Sequence, residues 1–176
     1  YEYNPELNCY DPASPYPSVA GIGDVYSVDF SDDDRYLVVG DSTAPYIHMF
    51  DVLDEFKTIS DPDLVTDGLI YDSKFYGEKY LLFGGDFTNN LKLFKYEFGD
   101  FYEWNGISDY PTGTVRDIEY QNGYVFVVTE TSPYLSVYKG TSRCMMFLMH
   151  NISAAFADPY SVDSSDNGNY VIVGTS

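Results

Sequence analysis

Apolar residues recur along the chain in a fixed order, and four apolar runs mark the same point of a repeated unit. Each run follows a tyrosine, as in Leu37-Val38-Val39-Gly40 after Tyr36. The four tyrosines, Tyr36, Tyr80, Tyr124 and Tyr170, are separated by 44, 44 and 46 residues. A period of roughly 40 to 50 residues with several strands in each unit is typical of a propeller blade.

Each unit predicts four short strands. The first, such as residues 26–30, alternates apolar and polar side chains, and a polar turn follows it. The second is apolar throughout, which suits a strand buried on both faces between neighbouring blades. The third, such as 46–50, alternates again, and the fourth, such as 101–104, is aromatic-rich and less regular. The fourth strand is therefore expected at the outer edge of the blade, where polar residues discourage sheet-to-sheet aggregation.

Polar residues fill the turn between the first and second strands of every unit. Asp163, Asp166, Asn167 and Asn169 are spaced loosely like a calcium-binding loop, but no glutamate follows at the distance that such a loop requires. Asp and Asn are common turn formers. We therefore interpret these residues, and the run Asp32-Asp33-Asp34, as turn residues rather than metal ligands.

The residues that catalysis would need are scarce. The chain has two histidines, His48 and His150, and no C-x-x-C pair, which argues against a zinc site. It has no G-x-S-x-G nucleophile elbow and no glycine-rich phosphate loop before a helix. A Ser-His-Asp triad assembled in space stays open. We predict no catalytic residue, no cofactor-binding residue and no metal ligand.

Residues 25–51, VYSVDFSDDDRYLVVGDSTAPYIHMFD, resemble the first three strands of the WD-repeat β-propellers and their looser relatives, including the segment F-S-x-D-x-x-Y-L-x-x-G. The resemblance extends over nearly the whole chain and implies a β-propeller fold. The Trp-Asp pair of that family is replaced by Phe50-Asp51, Phe94-Lys95 and Tyr138-Lys139, and its Gly-His pair is missing from every loop. The family's His–Ser/Thr–Trp–Asp hydrogen-bond network therefore cannot form, and the resemblance implies no particular partner.

The fold prediction is an all-β propeller of four-stranded antiparallel blades, about four blades in total. Residues 25–69, 70–113 and 114–159 are three full blades, residues 160–176 start a split blade, and residues 1–24 end it. Two interpretations of the split blade stay open. Its halves close a four-bladed ring within the chain, or they pair with a neighbouring chain or belong to a longer propeller. The chain begins at Tyr1 within a predicted strand and stops at Ser176 within a hairpin, which predicts an excerpted or processed chain.

Acidic residues outnumber basic residues by 28 to 9, which gives a net charge of −19. This charge repels nucleic acid and anionic membranes, and it favours cationic partners, divalent ions or high salt. A second interpretation is solubility, because the chain carries 19 tyrosines. No apolar stretch approaches the ~20 residues of a membrane span. We therefore predict neither nucleic-acid binding nor membrane insertion.

Two cysteines, Cys9 and Cys144, fall six residues after equivalent positions of the repeat. They are expected on the outer strands of adjacent blades, and because blades splay outward their Cα atoms should lie beyond the ~7 Å limit for a disulfide. We predict no disulfide between them within one chain, and a link between chains stays open. Asn151-Ile152-Ser153 is an N-x-S sequon in a predicted loop, which makes Asn151 a possible glycosylation site.

The distinctive residues fall almost entirely on repeat positions, so we predict a non-catalytic binding or structural propeller. An extracellular or particle-surface assembly component is the more specific hypothesis, since lysine is scarce and tyrosine abundant. The expected partners are a protein or glycan, or other copies of the chain joined through the split-blade ends. Two alternatives are an intracellular WD-type interaction scaffold and a metal-dependent propeller hydrolase or lactonase with an acidic channel.

Overall fold

The computed structural model describes residues 2–4, 9–11, 21–59, 66–97, 100–140, 146–153 and 158–176. The secondary structure of these residues is almost entirely strand, at 61% of them, and one 3-10 turn, Gly77–Lys79, joins β7 to β8. The strands are β1 Glu2–Asn4, β2 Cys9–Asp11, β3 Val25–Phe30, β4 Tyr36–Asp41, β5 Ile47–Asp51, β6 Lys57–Ile59, β7 Leu69–Tyr76, β8 Tyr80–Asp86, β9 Leu91–Glu97, β10 Asp100–Glu103, β11 Val115–Gln121, β12 Tyr124–Thr129, β13 Leu135–Gly140, β14 Met146–Ile152, β15 Pro159–Ser164 and β16 Val171–Thr175.

Three sheets have four antiparallel strands each, in the orders β3-β4-β5-β6, β7-β8-β9-β10 and β11-β12-β13-β14. Two further sheets, β15-β16 and β1-β2, have two strands each and are separate from one another. The predicted fold class, an all-β propeller of four-stranded blades, is confirmed. β7 begins at Leu69 and β15 at Pro159, one residue before the starts that the repeat predicts for their units.

Side-chain hydrogen bonds within the turn stabilise the polar turn between the first and second strands in two of the units. Ser31 Oγ donates to Asp33 Oδ1 at 2.6 Å, and the Tyr36 amide donates to Ser31 Oγ at 2.9 Å. The last hairpin repeats both bonds, at 2.8 and 3.0 Å, with Ser165, Asn167 and Tyr170. The Asp and Asn side chains of these two turns therefore shape the hairpin.

The first strand of each sheet lies innermost. β3 lies against β7, β7 against β11, and β11 against β15, while the second strands β4, β8 and β12 pack on the first strand of the next sheet. The sheets therefore follow one another around an axis that the first strands line, as blades of a propeller do.

The core lies between successive sheets rather than within one. Leu81 and Leu82 are neighbours on β8, yet Leu81 packs with side chains of the first sheet and Leu82 with side chains of the third. Both are completely buried. The prediction that the second strand is buried on both faces is confirmed for β8, because side chains alternate across a strand.

Candidate functional site

Every first strand carries a β-bulge at the same place. The register shifts lie between Val25 and Ser27, Ile70 and Asp72, Val115 and Asp117, and Pro159 and Ser161. A bulge leaves one residue unpaired and turns its side chain in a new direction. The four unpaired residues are Tyr26, Tyr71, Arg116 and Tyr160.

These four side chains form one continuous row, which we call the inner stack. The rings of Tyr26 and Tyr71 lie 5.4 Å apart between centroids. The guanidinium carbon of Arg116 lies 4.4 Å from the centre of the Tyr71 ring and 5.8 Å from that of Tyr160. Such cation–π contacts are worth about 0.5–2 kcal/mol each. The inner stack therefore links four successive units near the axis.

The positive charge of the inner stack is balanced locally. Arg116 forms an ion pair with Glu130, which follows β12. Its Nε atom is buried and has no hydrogen-bond partner in the part of the chain that the structure describes. The guanidinium is therefore held by two tyrosine faces and one carboxylate.

Carboxylates on the first strands reach forward to the next sheet, and we call these contacts the forward latches. Asp29 accepts a hydrogen bond from the Phe75 amide at 2.6 Å, and Asp72 accepts one from the Ile118 amide at 2.7 Å. Asp117 accepts one from the Val162 amide at 2.6 Å. Asp72 and Asp117 occupy the same repeat position. The latches tie β3 to β7, β7 to β11, and β11 to β15.

All three latches hold carboxyl groups in an environment that favours the neutral form, and burial raises the pKa of Asp29. Burial, followed by the neighbouring Asp117 carboxylate, raises the pKa of Asp72 well above its ordinary value. Burial also raises the pKa of Asp117. Since like charges in one buried site cannot both ionise cheaply, the raised pKa of the more deeply buried Asp72 favours its neutral form.

Replacing Asp72 with asparagine is expected to flatten the pH dependence of stability. The unfolded pKa is near 3.8 and the folded pKa is higher, so the folded protein binds more protons between them. The free energy of unfolding therefore falls as pH rises through that window. Asp72→Asn keeps an acceptor for the Ile118 amide and cannot ionise, so at neutral pH it should be more stable than the wild type.

Urea unfolding of wild type and variant from about pH 4 to pH 8 measures this difference. The exposed Asp163→Asn is the control, because it removes a carboxylate from the surface and should change the slope less than Asp72→Asn does. A wild-type slope for Asp72→Asn would contradict a raised pKa at Asp72.

The structure corrects one sequence-based expectation about Asn151. The residue lies in β14 and not in a loop, because the ladder between β13 and β14 continues to the pair Leu135 and Ile152. Asn151 is exposed, and its Oδ1 accepts a hydrogen bond from Ser136 Oγ at 2.8 Å. Its amide nitrogen is not used in that bond. Glycosylation at Asn151 stays a prediction.

The other predicted candidates are scattered. His48 lies in β5, buried, with Nε2 3.2 Å from Asp41 Oδ2, whereas His150 is exposed in β14. Among the residues that the structure describes, no group of three or more His, Cys, Asp or Glu side chains is placed to hold a metal ion. The disulfide prediction involves Cys144, which lies outside the described residues. In the described ranges no helix has the length and apolar character to span a membrane.

The sequence analysis missed the inner stack and the forward latches. Their residues are in repeat register, since Tyr26, Tyr71, Arg116 and Tyr160 each precede by four residues the position of Phe30 in their unit. A bulge interrupts the alternation of faces, however, and hydrogen bonds from carboxylates to a distant backbone leave no periodic apolar pattern. The shared register was the signal that could have found them.

Solved structures with the same arrangement of strands are β-propellers and related proteins. The β-propeller domain of Cps50 (Swd1) from Myceliophteria thermophila matches over 86% of this chain and 48% of its own, with 10% identity and a TM-score of 0.60. A candidate 6-phosphogluconolactonase from Bacteroides uniformis matches over 86% and 47%, with 14% identity and a TM-score of 0.67. The computationally designed Ika4 protein matches over 87% and 86%, with 14% identity and a TM-score of 0.67.

Sequence identities of 10–14% show that this chain shares a fold with these proteins, and they show nothing about its function. The chain spans about half the length of several solved structures that it matches, at 47–49% of theirs. No protein-family model matches the chain, and the comparison with curated proteins gives no match either. The solved structures support the fold-level resemblance to WD-type propellers. They include both enzymes and non-enzymatic propellers.

Proposed function

We propose that this protein is a non-catalytic structural propeller that works as a component of an assembly, outside the cell or at the surface of a particle. The observation that carries the proposal is exposure at both ends of the row of sheets. We call the side of each sheet that faces the following sheet its forward face, and the opposite side its backward face. The forward face of β15-β16 and part of the backward face of the first sheet are exposed.

Comparison with the equivalent positions of the inner units shows how unusual this exposure is. Ile172 on β16 is 71% exposed, whereas Phe126, at the same position of the preceding unit, is 8% exposed. Val28 on β3 is 62% exposed, whereas Ile118, at the same position of β11, is 2% exposed. The sequence thus places apolar side chains at both ends where the inner sheets bury them.

Neighbouring residues extend both exposed faces. Tyr170 lies beside Ile172, and Phe30 lies beside Val28; both are exposed. Contiguous apolar surface of this kind marks interaction sites in soluble proteins. Repeat arrays in general need their terminal faces covered to stay soluble. Burial of these faces against other molecules is therefore the role that the geometry supports best.

Composition supports the surface location. The chain has only six lysines, a residue that is depleted at protein interfaces. Its 19 tyrosines supply amphipathic rings, which are enriched there. Asn151 is exposed within its sequon.

Sedimentation analysis across a wide range of protein concentration tests the proposal. A mass above that of one chain, 19.9 kDa, is expected. Ile172→Glu should shift the protein toward the single chain without changing its circular dichroism spectrum, because the side chain is exposed in one copy. Leu53→Glu is the control, since Leu53 is exposed in the turn after β5 and should leave assembly unchanged. A single-chain mass at every concentration would refute the proposal.

A further inference from the structure

We infer that a second copy of this chain completes the split blade: β15-β16 of one copy occupies the backward face of the first sheet of the other, beside its β1. Two copies joined in this way at both ends form one eight-bladed ring. This inference rests on the proposed function and specifies the occupant of the exposed faces.

We call the interface between one sheet and the next a joint. The three joints within the chain show what the proposed interface should look like. At the first joint, Ser27 Oγ on the forward face of β3 lies 2.9 Å from Ser73 Oγ on the backward face of β7. The forward latches cross every internal joint at 2.6–2.7 Å. By repeat register, the position of Ser27 is taken by Ser161 in the last unit, and the position of Ser73 by Val28 in the first. Both are exposed, so the two halves of a fourth joint exist but do not meet.

The exposed part of the backward face, its footprint, matches the area that a first and a second strand of a neighbouring blade would cover. Phe30, Leu37 and Phe50 stand side by side across β3, β4 and β5. Phe30 is 49% exposed, Leu37 is partly buried, and Phe50 is 1% exposed. A whole missing blade would leave the entire row uncovered. Only the part next to the axis is open here.

The footprint fits a first and a second strand, and β15-β16 is such a pair. In the full sheets the second strand is also paired with a third, as β4 is with β5. In the described part of the chain, β16 is paired with β15 alone. By repeat register β1 and β2 are a third and a fourth strand, since Tyr3 aligns with Phe50 and Tyr138 of third strands, so β1-β2 is the complementary outer pair. β16 of one copy and β1 of another are therefore the two edges of one blade.

The chain's own β15-β16 pair does not cover the first sheet, since Ile172 and Val28 are both exposed. It packs on the third sheet through Val162, Val171 and Val173, and the Val162 amide is latched to Asp117. Close-packed joints fix the rotation between sheets, because packed side chains do not deform continuously. With the three joints packed as they are, the two outer faces stay apart within one copy, and a second copy covers both.

The inner stack ends in a way that fits the same ring. Tyr160 and Tyr26 are its two outermost members, and both are partly exposed. In the ring, Tyr160 of one copy lies next to Tyr26 of the other, in the relation that Tyr26 has to Tyr71 within the chain at 5.4 Å. The joint is heterologous, and using it twice around a two-fold axis closes the ring.

Engineered cysteines distinguish this arrangement from its alternatives. In a background carrying Cys9→Ser and Cys144→Ser, one preparation carries Ser161→Cys and a second carries Val28→Cys. After mixing, subunit exchange and mild oxidation, a disulfide-linked dimer is expected on a non-reducing gel. Neither preparation alone should form it, because like positions do not meet. Ser27→Cys with Ser73→Cys in one chain is the positive control and should link within the chain.

Each of the other possible outcomes refutes a specific part of the inference. Assembly by sedimentation without a cross-link in the mixture refutes the composite blade and leaves the proposed function standing. A cross-link within single chains of the double variant Ser161→Cys/Val28→Cys shows a ring closed by one chain and refutes the second copy. Linked chains longer than two from that double variant refute the two-copy ring. A single-chain mass refutes the inference together with the proposed function.

Discussion

Truncating Phe94 to alanine is expected to lower the free energy of unfolding by about 3–5 kcal/mol. Phe94 lies in β9, is completely buried, and packs its ring edge-on against Phe83 with 5.4 Å between centroids. It stands where WD repeats carry tryptophan, and Lys95 follows it in place of aspartate. With that family's polar network missing, apolar packing is what holds this position. A loss of this size is a large share of the roughly 5–15 kcal/mol that stabilises an ordinary domain.

Urea unfolding followed by circular dichroism measures the effect. Leu53→Ala is the matched control, since it also removes an apolar side chain but from an exposed turn, and it should change stability by less than about 0.5 kcal/mol. Similar losses for the two variants would show that Phe94 is not part of a rigid core.

Replacing Gly84 with valine is expected to cost roughly 1–3 kcal/mol by overpacking a joint between sheets. Gly84 lies on β8, and a Cβ atom there would overlap Val115 Cγ1 and come within 3.0 Å of Ile118 Cδ1. Both neighbours are buried on β11 and have little room to move. The glycine therefore permits the close approach of the second and third sheets.

Thermal and urea unfolding of Gly84→Val test this steric argument. Lys139→Val is the control, because it introduces the same side chain at an exposed position of β13 and should be nearly neutral. Unchanged stability of Gly84→Val would mean that the joint can open without loss of packing.

The fold was predictable because its strongest determinant is periodic. Apolar runs such as the one after Tyr80 are buried on both faces, and the polar turn before Tyr36 closes its own hairpin. Both features can be recognised from neighbouring residues, which share one strand or one turn.

Contacts between units could not be predicted in the same way. The bond from the Ile118 amide to Asp72 joins residues 46 positions apart and depends on the exact rotation between sheets. Asn151 was misplaced for a related reason, since the length of β14 is set by its pairing with β13 and not by its own composition. Whether the end faces are covered is likewise a property of packing. The exposure of Ile172 became visible only in three dimensions.

The forward latches have a consequence for how such a chain evolves. Asp72 and Asp117 make the same contact from the same repeat position, so the joints on the two sides of the third sheet resemble one another. The first joint is latched by Asp29 from another position. A recombination event that duplicates the third unit would reproduce a joint that already exists. The number of blades can therefore drift between lineages without the invention of a new interface.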